Sequence, residues 1–325
     1  MMLVRSLDWR DLAQLHRIRK DGICLDSQMA LTRGPQAMQN ALLDVFLPGN
    51  RAVCTAVLRT GGAREVAGIG QFILCNDRHQ AHLAYISPAE ILAADDGLYL
   101  LDGIARLAGE RGAQTLVAEV GETDSSFETL RRAGFAIYAR QRIWRLEGAA
   151  STSVPARRDD WRPASGRDRL AVQTLYINIV PALVQQVEPP PLENNQGLIF
   201  QAGTETLGFL DIQHGANGIW IQPYFHPAAE LTDELLAGFI QSLGAHDDKP
   251  LYVCVRSYQG GLGGSLERLG LQPFTDQAVM VKRLTAVVRR ALEQALPALD
   301  GTQPEPTAPI TSLEHKESLS QPTQP

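Results

Sequence analysis

Leu130-Arg131-Arg132-Ala133-Gly134-Phe135 (LRRAGF) recurs about 136 residues later as Leu266-Glu267-Arg268-Leu269-Gly270-Leu271 (LERLGL). Each reads as the last turn of a helix, a glycine that reverses the chain, and an apolar residue entering a strand. Glycine ends helices in this way because it takes positive φ without steric cost. Further landmarks repeat outward from this pair in the same order. Glu65-Val66-Ala67-Gly68 is matched by Glu205-Thr206-Leu207-Gly208, and Ser87-Pro88 by His226-Pro227. A near-constant offset of this size indicates a duplicated domain, not a solenoid repeat.

Hydrophobic period and turn residues give each copy the same order of elements. The first is expected to run through a strand at Val4–Leu7, a helix at Trp9–Arg19 behind Asp8, and a helix at Pro35–Phe46. Strands at Ala52–Leu58, Val66–Cys75 and Ala81–Ser87 follow, then a helix at Leu98–Glu110, a strand at Thr115–Val120, a helix at Ser125–Ala133 and a strand at Ala136–Leu146. The second has helix Asp168–Gln186 broken at Pro181, and strands Leu198–Gln201, Thr206–Gln213 and Ile219–Tyr224. Helix Asp233–Ser242, strand Leu251–Arg256, helix Ser265–Leu269, strand Ala278–Leu284 and helix Thr285–Leu296 complete it. The expected domains are residues 1–147 and 161–298. The small, polar, aperiodic stretch 148–160 reads as their linker, and the proline-rich segment 299–325 as a disordered tail.

Of the 325 residues, 44% are hydrophobic and 20% charged, which suits a globular protein of two cores. The net charge of −6 argues against a nonspecific hold on nucleic acid, since counterion release needs a basic surface. No apolar run is long enough to cross a bilayer, and the start MMLVRSLDWRD has no signal core, so the cytoplasm is the expected compartment. Cys24, Cys54, Cys75 and Cys254 have neither metal-knuckle nor redox-pair spacing, and no metal is expected. Cys54, Cys75 and Cys254 lie in apolar strand-like runs and read as buried thiols.

The order of elements, the LRRAGF and LERLGL turns, and the closing runs Arg142–Leu146 and Val279–Leu284 resemble the GNAT N-acetyltransferase superfamily. The resemblance implies an α/β fold (an α+β mixed sheet) in two tandem acyl-CoA N-acyltransferase-like domains. It also implies acetyl-CoA or another acyl-CoA as cofactor, and a small-molecule or peptide amine as acceptor. The fourth strand would splay from the fifth beside the acyl group, with Tyr85, Ile86, Ser87 and Gly97 as cofactor-binding candidates. His82, Tyr85 and Glu119 are the catalytic candidates; strand alternation puts His82 and Tyr85 on opposite faces.

The sequence departs from the family where the family holds the diphosphate. Ile91, Ala94 and Asp96 replace the residues of its glycine-rich turn, and the second copy has Leu231-Thr232-Asp233-Glu234 without glycine. Carboxylates therefore stand at the helix ends that would hold an anion. Leu130 and Leu266 occupy the position of the family's tyrosine acid, and leucine has no proton to give. Two functions remain open: an acyl-CoA-dependent N-acyltransferase, or a catalytically inactive tandem module for ligand binding or protein interaction. The run Gly260–Ser265 lacks a phosphate-loop lysine and reads as a turn before a short helix.

Overall fold

The computed structural model describes residues 2–11, 21–34, 53–59, 66–75, 79–147, 155, 160–191, 197–244 and 249–284. The first copy contains β1 (Leu3–Ser6), β2 (Ile23–Cys24), α1 (Ser27–Arg33), β3 (Val53–Arg59), β4 (Val66–Cys75), β5 (Gln80–Ser87), α2 (Asp95–Glu110), β6 (Thr115–Val120), α3 (Ser125–Arg132) and β7 (Ala136–Leu146). The second contains β8 (Trp161–Pro163), α4 (Arg169–Ile179), α5 (Ala182–Gln185), β9 (Gly197–Ala202), β10 (Glu205–His214), β11 (Ile219–Phe225), α6 (Asp233–Gly244), β12 (Leu251–Arg256), α7 (Gly263–Arg268) and β13 (Gln272–Arg283).

The repeated turn that opened the sequence reading is repeated in atomic detail. Gly134 and Gly270 have φ of 87° and 88°. Phe135 N donates to Leu130 O at 3.0 Å, and Leu271 N to Leu266 O at 3.0 Å, the six-to-one bond that closes a helix before a strand. The helices otherwise follow their apolar stripes: Leu100, Leu101, Ile104, Leu107 and Ala108 turn α2 onto the sheet.

Four elements differ from expectation. β2 and α1 lie in a stretch that carried no periodic signal. β8 precedes the first element expected in the second copy, the helix from Asp168. β13 begins at Gln272, six residues before the expected strand, because its first half is polar yet hydrogen-bonds along β7. Trp9–Asp11 forms a 3-10 turn; the rest of that expected helix, the helices at 35–46 and 285–296, most of the linker and the tail lie outside the described residues.

The thirteen strands among the described residues belong to one mixed sheet, ordered β1-β3-β4-β5-β6-β13-β7-β12-β11-β10-β9-β8, with β2 on β5. β5 and β6 run parallel and pair at only three positions, Gln80–His82 against Thr115–Val117. β11 and β12 do the same, Ile219–Ile221 against Leu251–Val253. Each copy therefore opens a V, between β5 and β6 in the first and between β11 and β12 in the second.

Each copy's last strand is exchanged. β13, which ends the second copy, pairs antiparallel with β6 of the first, from Ala278↔Val120 to Arg283↔Thr115. β7, which ends the first copy, pairs with β12 of the second, from Gln141↔Arg256 to Leu146↔Leu251. β7 and β13 then pair with each other at the centre. The cores show the same exchange. Ala278 and Met280 pack into the first copy's core under α2, while Trp144 packs into the second copy's core with Trp161, Phe225 and Phe239.

Candidate functional site

One edge of β5 is bonded to β4 along its length. The other leaves β6 after His82 and would be open, but β2 fills it. Ile23 pairs with Ile86 and Cys24 with Tyr85, antiparallel. Leu25 N donates to Ala84 O at 2.9 Å, and Leu25 O accepts from Glu119 N of β6 at 2.8 Å. Residues 23–25 thus join both arms of the V. Leu25 is 1% exposed and belongs to the main core. Just before it, Gly22 lies so close to Tyr85 that a methyl group there would sit 2.1 Å from the ring. Asp21 O accepts from Ala89 N at 2.7 Å, beyond the end of β5.

His82 and Tyr85 share a face, contrary to simple alternation. Gln71 pairs with Tyr85 but Phe72 with Leu83, so Ala84 is an extra residue that shifts the phase by one. Accordingly Ala81, Leu83 and Ile86 face α2, while Ala84 and Tyr85 lie on the opposite face, the one that His82 also presents to a cavity. All three catalytic candidates contact the segment that fills the V. Tyr85 meets Gly22, and burial raises its hydroxyl pKa. His82 Nδ1 stands 3.6 Å from Asp26 Oδ2. Glu119 Oε2 accepts from Ser27 N at 2.8 Å.

Burial alone would push the His82 pKa down, but the Asp26 carboxylate and the Cys75 thiol beside it hold it well above the ordinary value. Asp26 is lowered against the effect of burial by His82, by the Met29 N–H that it caps, and by Arg33. Glu119 is raised by burial and by the Asp26 charge, with Arg256 and Ser27 opposing. Of the cofactor candidates, Ile86 is buried toward α2 and paired with β2, and Ser87 is buried. Gly97 is buried in the first turn of α2, where a Cβ would lie 2.5 Å from Ile91 O. Its lack of a side chain serves that backbone contact.

The second copy is arranged differently at the same places. Its β10–β11 ladder has no extra residue, and Pro223, opposite Leu210, offers no N–H. Thr232 Oγ1 accepts from Leu235 N at 3.2 Å at the start of α6. At both helix starts an aspartate meets an arginine from the following helix: Asp95 with Arg132 at 2.9 Å, and Asp233 with Arg268 through two bonds of 2.6 and 2.8 Å.

No family model matches the sequence, and none of the curated proteins is detectably similar to it. Solved structures are. A GCN5-related N-acetyltransferase from Sphaerobacter thermophilus superposes with a TM-score of 0.54 at 14% identity, covering 87% of this chain and 95% of its own. A tandem GNAT protein from the clavulanic acid biosynthesis pathway, solved without acetyl-CoA, gives 0.50 at 14% identity, covering 87% and 98%. The chain has a tandem GNAT fold.

Between the two GNAT copies, on the sheet face away from α2 and α6, lies a cavity of about 380 Å³. Asp26, Cys75, His82 and Glu119 line it from the first copy, and Glu188, Asp211, Tyr224 and Arg256 from the second. Glu188 accepts from Arg256 Nη2 at 2.5 Å and from the Tyr138 hydroxyl at 2.6 Å, and its carbonyl accepts from the Tyr176 hydroxyl. Burial and the Glu188 charge hold the Tyr138 hydroxyl well above its ordinary pKa. Arg256 is 6% exposed, and its Nε and Nη1 meet no acceptor among the described residues. The C-terminal end of α1 docks on the second copy, with Asn217 N bonded to Thr32 O at 2.8 Å. Glu188, Arg256 and Tyr138 went unnoticed in the sequence because they come from a loop and two strands that only the exchanged sheet brings together.

Proposed function

We propose that this protein is a tandem GNAT-fold ligand-binding protein whose first copy does not take acyl-CoA. The seating of residues 21–26 in the β5–β6 V carries the reading. A cofactor arm lying beside the splayed strand needs that strand's open edge, and β2 already holds it through main-chain bonds. The carboxylates at both helix starts, each with its own arginine, argue the same way for the diphosphate. The central cavity is the ligand site on this reading. Its acid-rich wall suits a small amine, and the orphan N–H groups of Arg256 support a polar guest, since buried donors are seldom left unbonded.

The copies then run over 1–147 and 161–298 along the chain, joined by a linker at 148–160. β7 and β13 belong by sequence to the copy they end and by hydrogen bonding to the other.

An acyl-CoA-dependent N-acyltransferase acting on an amine is the second reading, and it falls to the second copy. Among the described residues no strand pairs with β11 beyond Ile221 on its β12 side. Pro223 and the Asp233–Arg268 pair weigh against it. Isothermal calorimetry with acetyl-CoA and with free CoA decides between them. The expected result is no heat of binding at micromolar protein; a micromolar Kd, with amine acetylation, would establish the enzyme reading instead.

A further inference from the structure

Cys75, His82 and Asp26 line one wall of the central cavity. Cys75 ends β4, and His82 lies on the adjoining strand. The register pairs Ile73 with His82 and Cys75 with Gln80, so the thiol is a diagonal neighbour of the imidazole on the same face. Both side chains line the same cavity wall. Nδ1 of the ring faces Asp26 Oδ2 at 3.6 Å, and Asp26 is itself fixed by the Met29 N–H at 2.9 Å.

We propose that Cys75, His82 and Asp26 act as nucleophile, general base and orienting carboxylate in acyl transfer from a small ester or thioester to water, through an S-acyl intermediate on Cys75. A thiol beside an imidazole that a carboxylate faces is the arrangement an activated nucleophile requires. Access separates this cysteine from two of the others. Cys75 is half-buried on the cavity wall, whereas Cys54 and Cys254 are buried. Burial also pushes the Cys24 and Cys54 thiols up, and that of Cys254 up to about 12. The sequence reading of Cys75 as a buried thiol is thereby corrected: the end of β4 opens onto the cavity.

The remaining charges around the pair are Arg33 from α1, Glu119 from β6, Asp211 from β10, Glu188 from the loop after α5, and Arg256 from β12. With Asp26, carboxylates outnumber guanidinium groups on this wall.

The chemistry balances without a further reagent. Starting from its neutral form, the His82 imidazole takes the thiol proton as the Cys75 sulfur bonds to the acyl carbon. The bond from that carbon to the leaving oxygen or sulfur breaks, and the imidazolium proton goes to the leaving group. Water, losing a proton to His82, then attacks the S-acyl carbon. The C–S bond breaks, the carboxylic acid departs, and the sulfur regains its proton. The proposal shares its cavity with the ligand-binding reading but does not depend on the closed groove.

The full chain mixed with p-nitrophenyl acetate tests it. Expected are a nitrophenolate burst and one acetyl group, by mass spectrometry, on the peptide containing Cys75. The burst vanishes in Cys75→Ser and slows about a hundredfold in His82→Gln; Asp26→Asn, which keeps a helix-capping side chain, also slows it. Iodoacetamide supplies a second measurement. Alkylation of Cys75 at a fixed pH should be slower in His82→Gln than in the wild type. A burst surviving in Cys75→Ser, or the same alkylation rate with and without His82, would overturn the assignment. If His82→Gln does not fold, as judged by circular dichroism, the site of acetylation and the Cys75→Ser burst still decide. Acetyl-CoA binding by calorimetry would defeat the ligand-binding reading and leave the burst untouched, so the two failures are distinct.

Discussion

Leu25→Ala probes whether the segment in the first V is part of the fold or rests loosely on it. The side chain is 1% exposed and sits in the main core. The substitution removes three carbon atoms and leaves both main-chain bonds in place, from Leu25 N to Ala84 O and from Glu119 N to Leu25 O. At about 0.8 kcal/mol per methylene the lost transfer energy is about 2.4 kcal/mol. The void left behind raises the total, and buried leucines replaced by alanine lose about 2–5 kcal/mol in all. Urea unfolding should show this loss as a lower midpoint with an unchanged slope. Hydrogen exchange supplies the control: in the wild type the Leu25 and Glu119 amides should exchange only with global opening. A loss below about 1 kcal/mol, with those amides exchanging like surface loops, would mean that the segment leaves the V easily. The reading of a closed groove would then fail.

Stability should fall as pH rises through the His82 titration. Its folded pKa is raised, so the folded chain holds an extra proton between the unfolded value near 6.5 and the folded one. That contribution is fully present below about pH 6.5 and lost above the folded value; Asp26→Asn should flatten the slope in urea midpoints measured across the window. Arg256→Leu strands Glu188 with its charge buried and should cost about 3–5 kcal/mol by chemical denaturation. Adding Glu188→Gln should recover most of that loss. Fragments cut within 148–160 should each be poorly folded and should assemble on mixing, as read by near-ultraviolet circular dichroism. Two separately folded fragments would contradict the strand exchange.

The fold was legible because its signals are local. The 3.6-residue stripe of α2, the alternating and apolar runs of β3 to β6 and β9 to β12, and the two glycine turns at Gly134 and Gly270 each state their own structure. β2 did not, since two residues with no alternation gain their strand character only from the open edge of β5. The faces of His82 and Tyr85 were misread because one extra residue at Ala84 shifts the phase, and nothing in Leu83-Ala84-Tyr85 marks it. The exchange of β7 and β13 was invisible for a different reason. Both strands sit where the repeat expects them in sequence, and only the pairing partner differs. The cavity inherits that gap, as Glu188, Arg256 and Tyr138 meet across a pairing that no local pattern encodes.

The exchange also sets a schedule for synthesis. β6 is complete at Val120, but its partner strand ends at Arg283. Chains leave the ribosome at about 5–20 residues per second, so the first copy waits on the order of ten seconds with β6 unpaired on that side. During that interval the nascent chain exposes a sheet edge able to template pairing with a neighbour. β7 emerges early and can shield that edge only by a pairing it must later surrender to β13. Once both strands are in place, each copy supplies a strand the other cannot replace. Truncating either copy would leave the survivor with an open edge, so mutations can erode a binding groove in one copy while selection still retains its strands.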